Sequence, residues 1–131
     1  MKILDLPLKK EWYNMIETNI KTEEYREVKP YWIKRILRTI NIEYTHYIAV
    51  DNECAEFYTN NIELLRIDLE AGGFHKKVSH VRFSYGYTKR TMLREIESIT
   101  IGYGKPEWGA PTDKQVFIIK LKPLCCPSTN C

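Results

Sequence analysis

Residues 78–121 read VSHVRFSYGYTKRTMLREIESITIGYGKPEWGAPTDKQVFIIKL. Three stretches in this segment have the composition and alternation of β-strands: Val78 to Tyr87, Met92 to Ile101 and Gln115 to Leu121. No helical pattern separates them, whereas a doubly wound α/β fold would alternate helices with strands. The second half of the chain therefore predicts a mostly antiparallel sheet.

The first half of the chain carries helical patterns between shorter extended stretches. Leu8, Trp12, Met15 and Ile16 share one helical face, which predicts a helix with Pro7 in its first turn and an end near Asn19. The further elements predicted are a strand over Thr22 to Val28, a helix over Pro30 to Leu37, a strand over Tyr44 to Val50 and a helix over Asn60 to Ala71. Together they indicate an α+β domain with either a curled sheet or a small mixed β-barrel, flanked by helices.

Bulk composition bounds the class of protein. With 131 residues, 44% hydrophobic and 28% charged, the chain has the size and composition of one globular domain. No apolar run approaches the roughly 20 residues that a membrane span needs. The stretch from Met1 to Pro7 contains an acid and a proline where a signal peptide would be apolar. We therefore expect a cytoplasmic location and no membrane partner.

Cysteine and histidine positions do not suggest a metal. Three of the four cysteines crowd into the C-terminal segment, as Cys125, Cys126 and Cys131, in neither a zinc-module nor a disulfide-framework spacing. We expect residues 123–131 to be a flexible tail with reduced thiols, and we expect no metal. No glycine-rich phosphate loop follows a strand, so no cofactor is expected either.

Charge is segregated along the chain, although the net charge is only +3. The segment from Lys76 to Arg94 contains basic residues and no acidic residue. The segment from Asp51 to Glu70 contains acidic residues and a single basic residue, Arg66. Two interpretations of the basic segment stay open. In the first, the segment contacts the phosphates of a nucleic acid, mainly through Arg82 and Lys89. In the second, its charges protect a strand edge from aggregation. The acidic helix over residues 60–71 is a candidate surface for a protein partner.

The polar segment from Lys21 to Arg26 is the best candidate for a ligand site. In a strand, Thr22, Glu24 and Arg26 share one face, and Lys21 at the preceding corner can swing over that face. An ammonium, a carboxylate, a guanidinium and a hydroxyl around one spot can bind a base edge, a phosphate or an amide. The alternative is an exposed Glu24–Arg26 ion pair that contributes little.

The same segment resembles a known signature. Lys21-x-x-Glu24-x-Arg26 after an amphipathic helix is similar to the G-x-K-x-x-E-x-R signature of the ASCH domain family, which has the PUA-like barrel fold. The flanking stretches that add to the resemblance are residues 6–9, 23–32, 82–83 and 101–109. Asn19 stands where the signature has glycine. The resemblance implies an ASCH-like domain over residues 1–122 with an insertion over residues 39–77.

The resemblance implies a cleft, lined by the signature residues, that binds RNA or a modified nucleotide. It also implies an alternative, because some short ASCH proteins are amidohydrolases of N4-acetylcytidine that use the signature lysine, a threonine and a glutamate. In this chain Lys21 and Glu24 would then be catalytic. Glu24 occupies the place of that threonine, however, and Thr22 lies one place after the lysine, so hydrolysis would need a rearranged mechanism.

The loop from Gly102 to Pro111 is the last candidate, because long loops with glycines, prolines and an interior tryptophan are often functional. Trp108 is predicted to stack on a base, and Glu107 to read an exocyclic amine or to act as a general base. The alternative for Trp108 is that it fills the bottom of the barrel.

Overall fold

The computed structural model describes residues 2–40, 51–71 and 78–124. Its elements in chain order are β1 (Lys2–Leu8), α1 (Lys10–Glu17), β2 (Glu23–Glu27), α2 (Pro30–Ile40), α3 (Asn52–Thr59), α4 (Ile62–Ala71), β3 (Val78–Tyr85), β4 (Thr91–Gly102), a 3₁₀ turn (Pro106–Trp108) and β5 (Val116–Leu121). The predicted α+β class is confirmed. None of the helices in these ranges combines the length and apolar character needed to cross a membrane.

The five strands form one curled half-barrel in the order β1-β3-β4-β5-β2. β1 is parallel to β3, and every other neighbouring pair is antiparallel. β4 is long enough to pair with β3 through its first half and with β5 through its second half, with a register irregularity between Ile96 and Ser98. This irregularity lets the sheet curl, as bulges do. β1 and β2 are left as the two edge strands.

The three strands predicted in residues 78–121 are confirmed, with one correction at the end of β3. Val81 and Phe83 are fully buried, as their alternation predicts. Tyr87 does not continue this face: it lies beyond β3 and is 100% exposed. β3 ends at Tyr85 because Gly86 turns the chain with a φ of 59°.

Pro7 is placed differently from the prediction. It lies within β1, and α1 begins only at Lys10. The Pro7 carbonyl accepts a hydrogen bond of 2.7 Å from Nη2 of Arg26, and the Asp5 carbonyl accepts one of 2.6 Å from Nη2 of Arg35. Guanidinium groups therefore occupy the outer edge of β1, where a further strand would otherwise pair.

The end of α1 agrees with the prediction at Asn19. This residue has a left-handed backbone with a φ of 63°, which asparagine tolerates better than most residues. The amides of Ile20 and Lys21 then both donate to the Met15 carbonyl, at 2.8 and 3.0 Å. The resulting turn carries Lys21 into the interior immediately before β2.

The acidic segment forms two helices rather than the one predicted over Asn60 to Ala71. α4 is that helix, whereas α3 was not predicted. Asp51 begins α3 as its N-cap, since its carboxylate accepts a hydrogen bond of 2.9 Å from the Cys54 amide. Tyr58 and Leu65 anchor the two helices in the core. The strand predicted over Tyr44 to Val50 lies outside the described residues, as does the cysteine-containing end from residue 125.

Candidate functional site

A cavity of about 410 Å³ lies between the two edge strands. It is lined by the end of β1, by the middle of β2 and by aromatic residues from three other parts of the chain: Pro7, Leu8, Lys9, Trp12, Glu24, Tyr25, Arg26, Trp32, Trp108 and Gly109. All three tryptophans of the protein line this one cavity. The walls therefore combine large flat apolar surfaces with one carboxylate and one guanidinium.

The charged residues of the signature converge as predicted. Oε1 of Glu24 lies 3.0 Å from Nζ of Lys21, and Oε2 of the same carboxylate accepts a hydrogen bond from Nη1 of Arg26. Glu24 thus bridges two cations, and its side chain is almost completely buried. Alternation along β2 places Glu24 and Arg26 on one face, and the turn at Asn19 brings Lys21 onto the same side.

Lys21 itself does not reach the cavity, contrary to the prediction of a solvent-accessible amine. Its side chain is 0% exposed, and Nζ donates to the Trp108 carbonyl. Nζ also lies 4.9 Å from the ring centroid of Trp12 and 5.0 Å from that of Tyr25. Burial lowers the pKa of the Lys21 amine, while the neighbouring Glu24 carboxylate opposes that shift. Lys21 lies behind the cavity wall. From there it holds Glu24 in place, together with the loop from Gly102 to Pro111, which we call the Trp108 loop.

Arg26 crosses the gap between the two edge strands. Its Nη1 donates to the Tyr25 carbonyl at 2.9 Å, and its Nη2 donates to the Pro7 carbonyl at 2.7 Å. The guanidinium lies 4.9 Å from the ring centroid of Trp32. Its Nε–H is buried and has no hydrogen-bond partner among the described residues. Arg26 is thus held rigidly, and its side chain forms part of the cavity wall.

Two glycines shape the loop that closes the other side of the cavity. A Cβ at Gly104 would lie 2.5 Å from the Tyr25 ring, so only glycine fits there. Gly109 has a φ of 99°, and a Cβ there would lie 3.1 Å from the Trp12 ring. The Tyr25 hydroxyl donates to Glu23 at 2.8 Å and accepts from the Lys105 amide at 3.0 Å. These contacts fix the loop against β2 and α1.

Trp108 lies between a small apolar cluster and the cavity. It is half-buried, packs against the small apolar cluster of Tyr25, Ala110 and Val116, and also lines the cavity. The loop contacts at Gly104 and Gly109 hold its indole in this position. Its ring is therefore a cavity wall supported from behind.

Four other predicted site residues do not line the cavity. Thr22 uses its backbone carbonyl to accept the Leu121 amide at 3.0 Å. Glu107 is exposed on the loop, and Lys89 is exposed in the turn after β3. Arg82 pairs with Asp5, with Nε at 2.6 Å from Oδ1. The described residues of the basic segment thus do not contribute to the walls of this cavity.

Sequence reasoning missed Trp12, Trp32 and Tyr25 as cavity residues. The sequence pattern places Trp12 only on an apolar helix face and does not single out Trp32 or Tyr25. The available signal was their position, because tryptophans stand on both sides of the signature, at the start of α1 and in the first turn of α2. Residues that flank an edge strand can reach around it from either face.

No cluster of three histidine, cysteine or acidic side chains suited to a metal ion occurs in the described ranges. The arrangement instead suits a flat polar ring, since indoles can stack on its faces while Glu24 accepts and Arg26 donates at its edge. Comparison with models of protein families, with curated proteins and with solved structures gave no significant match.

Proposed function

We propose that this chain is a PUA-like, ASCH-type domain that binds RNA by holding one unpaired base in the cavity between β1 and β2. The observation that carries the proposal is the buried Glu24–Arg26 pair facing a cavity walled by three indoles. Stacking of a base on an aromatic side chain contributes about 1–3 kcal/mol. The half-barrel, and the position of the signature on β2 directly after α1, support the PUA-like assignment.

The chemistry of Glu24 favours a base with an exocyclic amine. Each carboxylate oxygen can accept more than one hydrogen bond, so Glu24 has acceptor capacity beyond its bonds to Lys21 and Arg26. The amines of cytosine and adenine would donate to it, and the adjacent ring nitrogen would accept from Arg26. Uracil presents a carbonyl oxygen in the place of that amine, which a carboxylate repels. We therefore expect cytosine or adenine to bind more tightly than uracil.

Phosphate contacts supply a smaller part of the expected affinity. Lys9 is exposed and lines the cavity, so it can meet a phosphate of the bound nucleotide. Neither Arg82 nor Lys89 lines the cavity. Each phosphate neutralised on a single strand adds a slope of roughly 0.7 to the salt dependence. A shallow slope is therefore expected.

The test is a titration of labelled oligo(C), oligo(A) and oligo(U) single strands with wild type, Glu24→Gln and Arg26→Ala. Wild type should bind oligo(C) or oligo(A) more tightly than oligo(U), and Glu24→Gln should lose this preference. Lys120→Ala is the matched control, since it removes a cation of the neighbouring strand β5 that pairs with Glu97 at 3.1 Å, outside the cavity. Equal affinities of wild type and Glu24→Gln for all three strands would remove the proposal.

Hydrolysis of an acylated nucleoside such as N4-acetylcytidine is the second candidate. The observation that favours it is the lowered pKa of Lys21 beside Glu24, because perturbed lysines often take part in catalysis. The buried amine and the absence of a threonine from the described cavity walls weigh against it. Incubation with N4-acetylcytidine decides: cytidine release by wild type that Glu24→Gln lacks would support an enzyme.

A further inference from the structure

A second cavity, of about 340 Å³, adjoins the first. Tyr25, Arg26 and Gly109 line both cavities, so the two are separated only by the side chains of a shared rim. The remaining lining residues of the second cavity are Glu27, Ala110, Pro111, Lys114 and Val116. The two cavities therefore share a rim at β2, and we refer to them together as the groove.

The second cavity differs from the first in character. Ala110 and Val116 are buried and form its apolar floor together with Pro111. At its mouth Nζ of Lys114 lies 2.7 Å from Oε1 of Glu27, and both side chains are about half exposed. An apolar floor suits a base or a ribose, and the exposed Lys114 amine can exchange its pairing with Glu27 for a phosphate of the ligand. Among the residues that the structure describes, no buried carboxylate lines this cavity, so the described walls have no equivalent of Glu24 for reading a base edge.

Arg26 is placed at the rim that the two cavities share. Its side chain is 14% exposed and lines both cavities. Guanidinium groups pair with phosphate oxygens, and the phosphodiester is the group that joins two consecutive nucleosides. A phosphodiester at this rim would lie beside the positive charge of Arg26 while its neighbouring nucleosides occupy the two cavities.

We infer that the groove binds two consecutive nucleotides of a single strand. One base is read by Glu24 in the first cavity, the next nucleoside lies in the second cavity, and the connecting phosphodiester lies against Arg26. Lys114 faces the outer phosphate. The inference rests on the proposed function, because it needs a base in the first cavity. It goes further by stating that the bound segment is two nucleotides long.

The experiment compares a mononucleotide with a dinucleotide. The probes are cytidine 5′-monophosphate, the dinucleoside monophosphate CpC, and two analogues of CpC in which either the first or the second base is replaced by hydrogen. CpC should bind at least about tenfold more tightly than the mononucleotide, because a second nucleoside is stacked and a phosphodiester is held. One abasic analogue should lose most of that gain. Equal affinity of CpC and the mononucleotide would overturn the inference.

Two lysines that face the same carboxylate provide a matched pair of variants. Nζ of Lys114 and of Lys29 lie 2.7 and 3.8 Å from the carboxylate of Glu27, but only Lys114 lines the second cavity. Lys114→Ala should weaken CpC binding several-fold and leave mononucleotide binding unchanged, whereas Lys29→Ala should change neither. Equal losses in the two variants would mean that only the overall charge acts, and would contradict the inference.

The two proposals fail in different ways. Glu24-dependent binding of the mononucleotide without any gain for CpC would overturn the two-nucleotide groove and leave the base site intact. Binding of neither probe in a Glu24-dependent manner would remove the base site, and the groove with it.

Discussion

Two sets of ion pairs in this domain use the same chemical groups in opposite surroundings. Glu24 is almost fully buried between Lys21 and Arg26, whereas Asp5 and Arg82 pair on the surface with side chains 48% and 45% exposed. Water and ions screen the exposed pair, so its two groups contribute little and can rearrange. The buried groups are fixed by their partners. Burial, more than the local density of basic residues, therefore distinguishes the candidate site from the rest of the charged surface.

The buried cluster is also the more fragile of the two. A carboxylate removed from water depends on its counter-charges, and loss of one partner leaves the others uncompensated. The exposed pair loses only a screened interaction when one partner is removed. Four measurements test this difference.

The largest effect is expected for Lys21→Met. Glu24 would lose one of its two cations and the Trp108 carbonyl would lose its donor, so the free energy of unfolding should fall by about 3–5 kcal/mol. Urea unfolding followed by tryptophan fluorescence measures the change. Lys89→Ala, which removes an exposed amine, is the control and should stay within roughly 0.5 kcal/mol of wild type. Equal stability of the two variants would contradict the importance of burial.

Gly104→Ala tests the packing that covers the buried cluster. A methyl group at this position would lie 2.5 Å from the Tyr25 ring, and the displacement should lower the free energy of unfolding by about 1–3 kcal/mol. Gly102→Ala is the matched control, since its methyl group would meet only the end of the Ile118 side chain at 3.4 Å. The same unfolding measurement applies. If the Gly104 variant were as stable as the Gly102 variant, the loop would admit the methyl group without loss of stability, which would contradict the prediction.

Tyr25→Phe should cost about 1 kcal/mol near neutral pH, because the hydroxyl links Glu23 to the Lys105 amide. Burial raises the Tyr25 pKa above its usual 10.0, so above that pH the unfolded chain releases a proton that the folded chain keeps. The stability of the wild type should therefore fall as the pH rises above this value.

The fall should be shallower for Tyr25→Phe than for the wild type. Thermal unfolding at several pH values from neutral to about 11 measures it. Tyr103→Phe alters an exposed tyrosine and should keep the slope of the wild type. Parallel slopes for all three proteins would mean that Tyr25 is not responsible.

The smallest effect is expected for Arg82→Ala. Removing an exposed partner of Asp5 should change the free energy of unfolding by about 0–1 kcal/mol, and less as salt is added. A double-mutant cycle with Asp5→Ala isolates the coupling of the two side chains. A coupling as large as that of the buried cluster would erase the distinction between the two sets of ion pairs.

The sequence predicted the parts of the site that depend on local geometry. Two-residue alternation placed Glu24 and Arg26 on one face of β2, and the left-handed preference of asparagine located the turn at Asn19. Both follow from residues close in the chain. The antiparallel strands of residues 78–121 were predictable for the same reason, since each has its own pattern.

The parts that were not predicted depend on distant segments. Lys21 is buried because Trp12 and the Trp108 loop, from opposite ends of the chain, meet over it. The pairing of Arg82 with Asp5 was not predicted either, because it follows from the parallel register of β1 and β3. The residue pattern of one strand does not predict its register with another strand. Only the assembled sheet brings these partners together.

Pro7 has a consequence for how a ligand enters. At this residue β1 has no amide proton to offer on the edge facing β2, and its carbonyl is already occupied by Arg26. Backbone hydrogen bonds therefore cannot join β1 to β2 at this position, and the first cavity is already open before a ligand binds. Ligand binding should then be a single step. Its observed rate constant should rise linearly with ligand concentration and should not reach a plateau set by a slow opening of the protein.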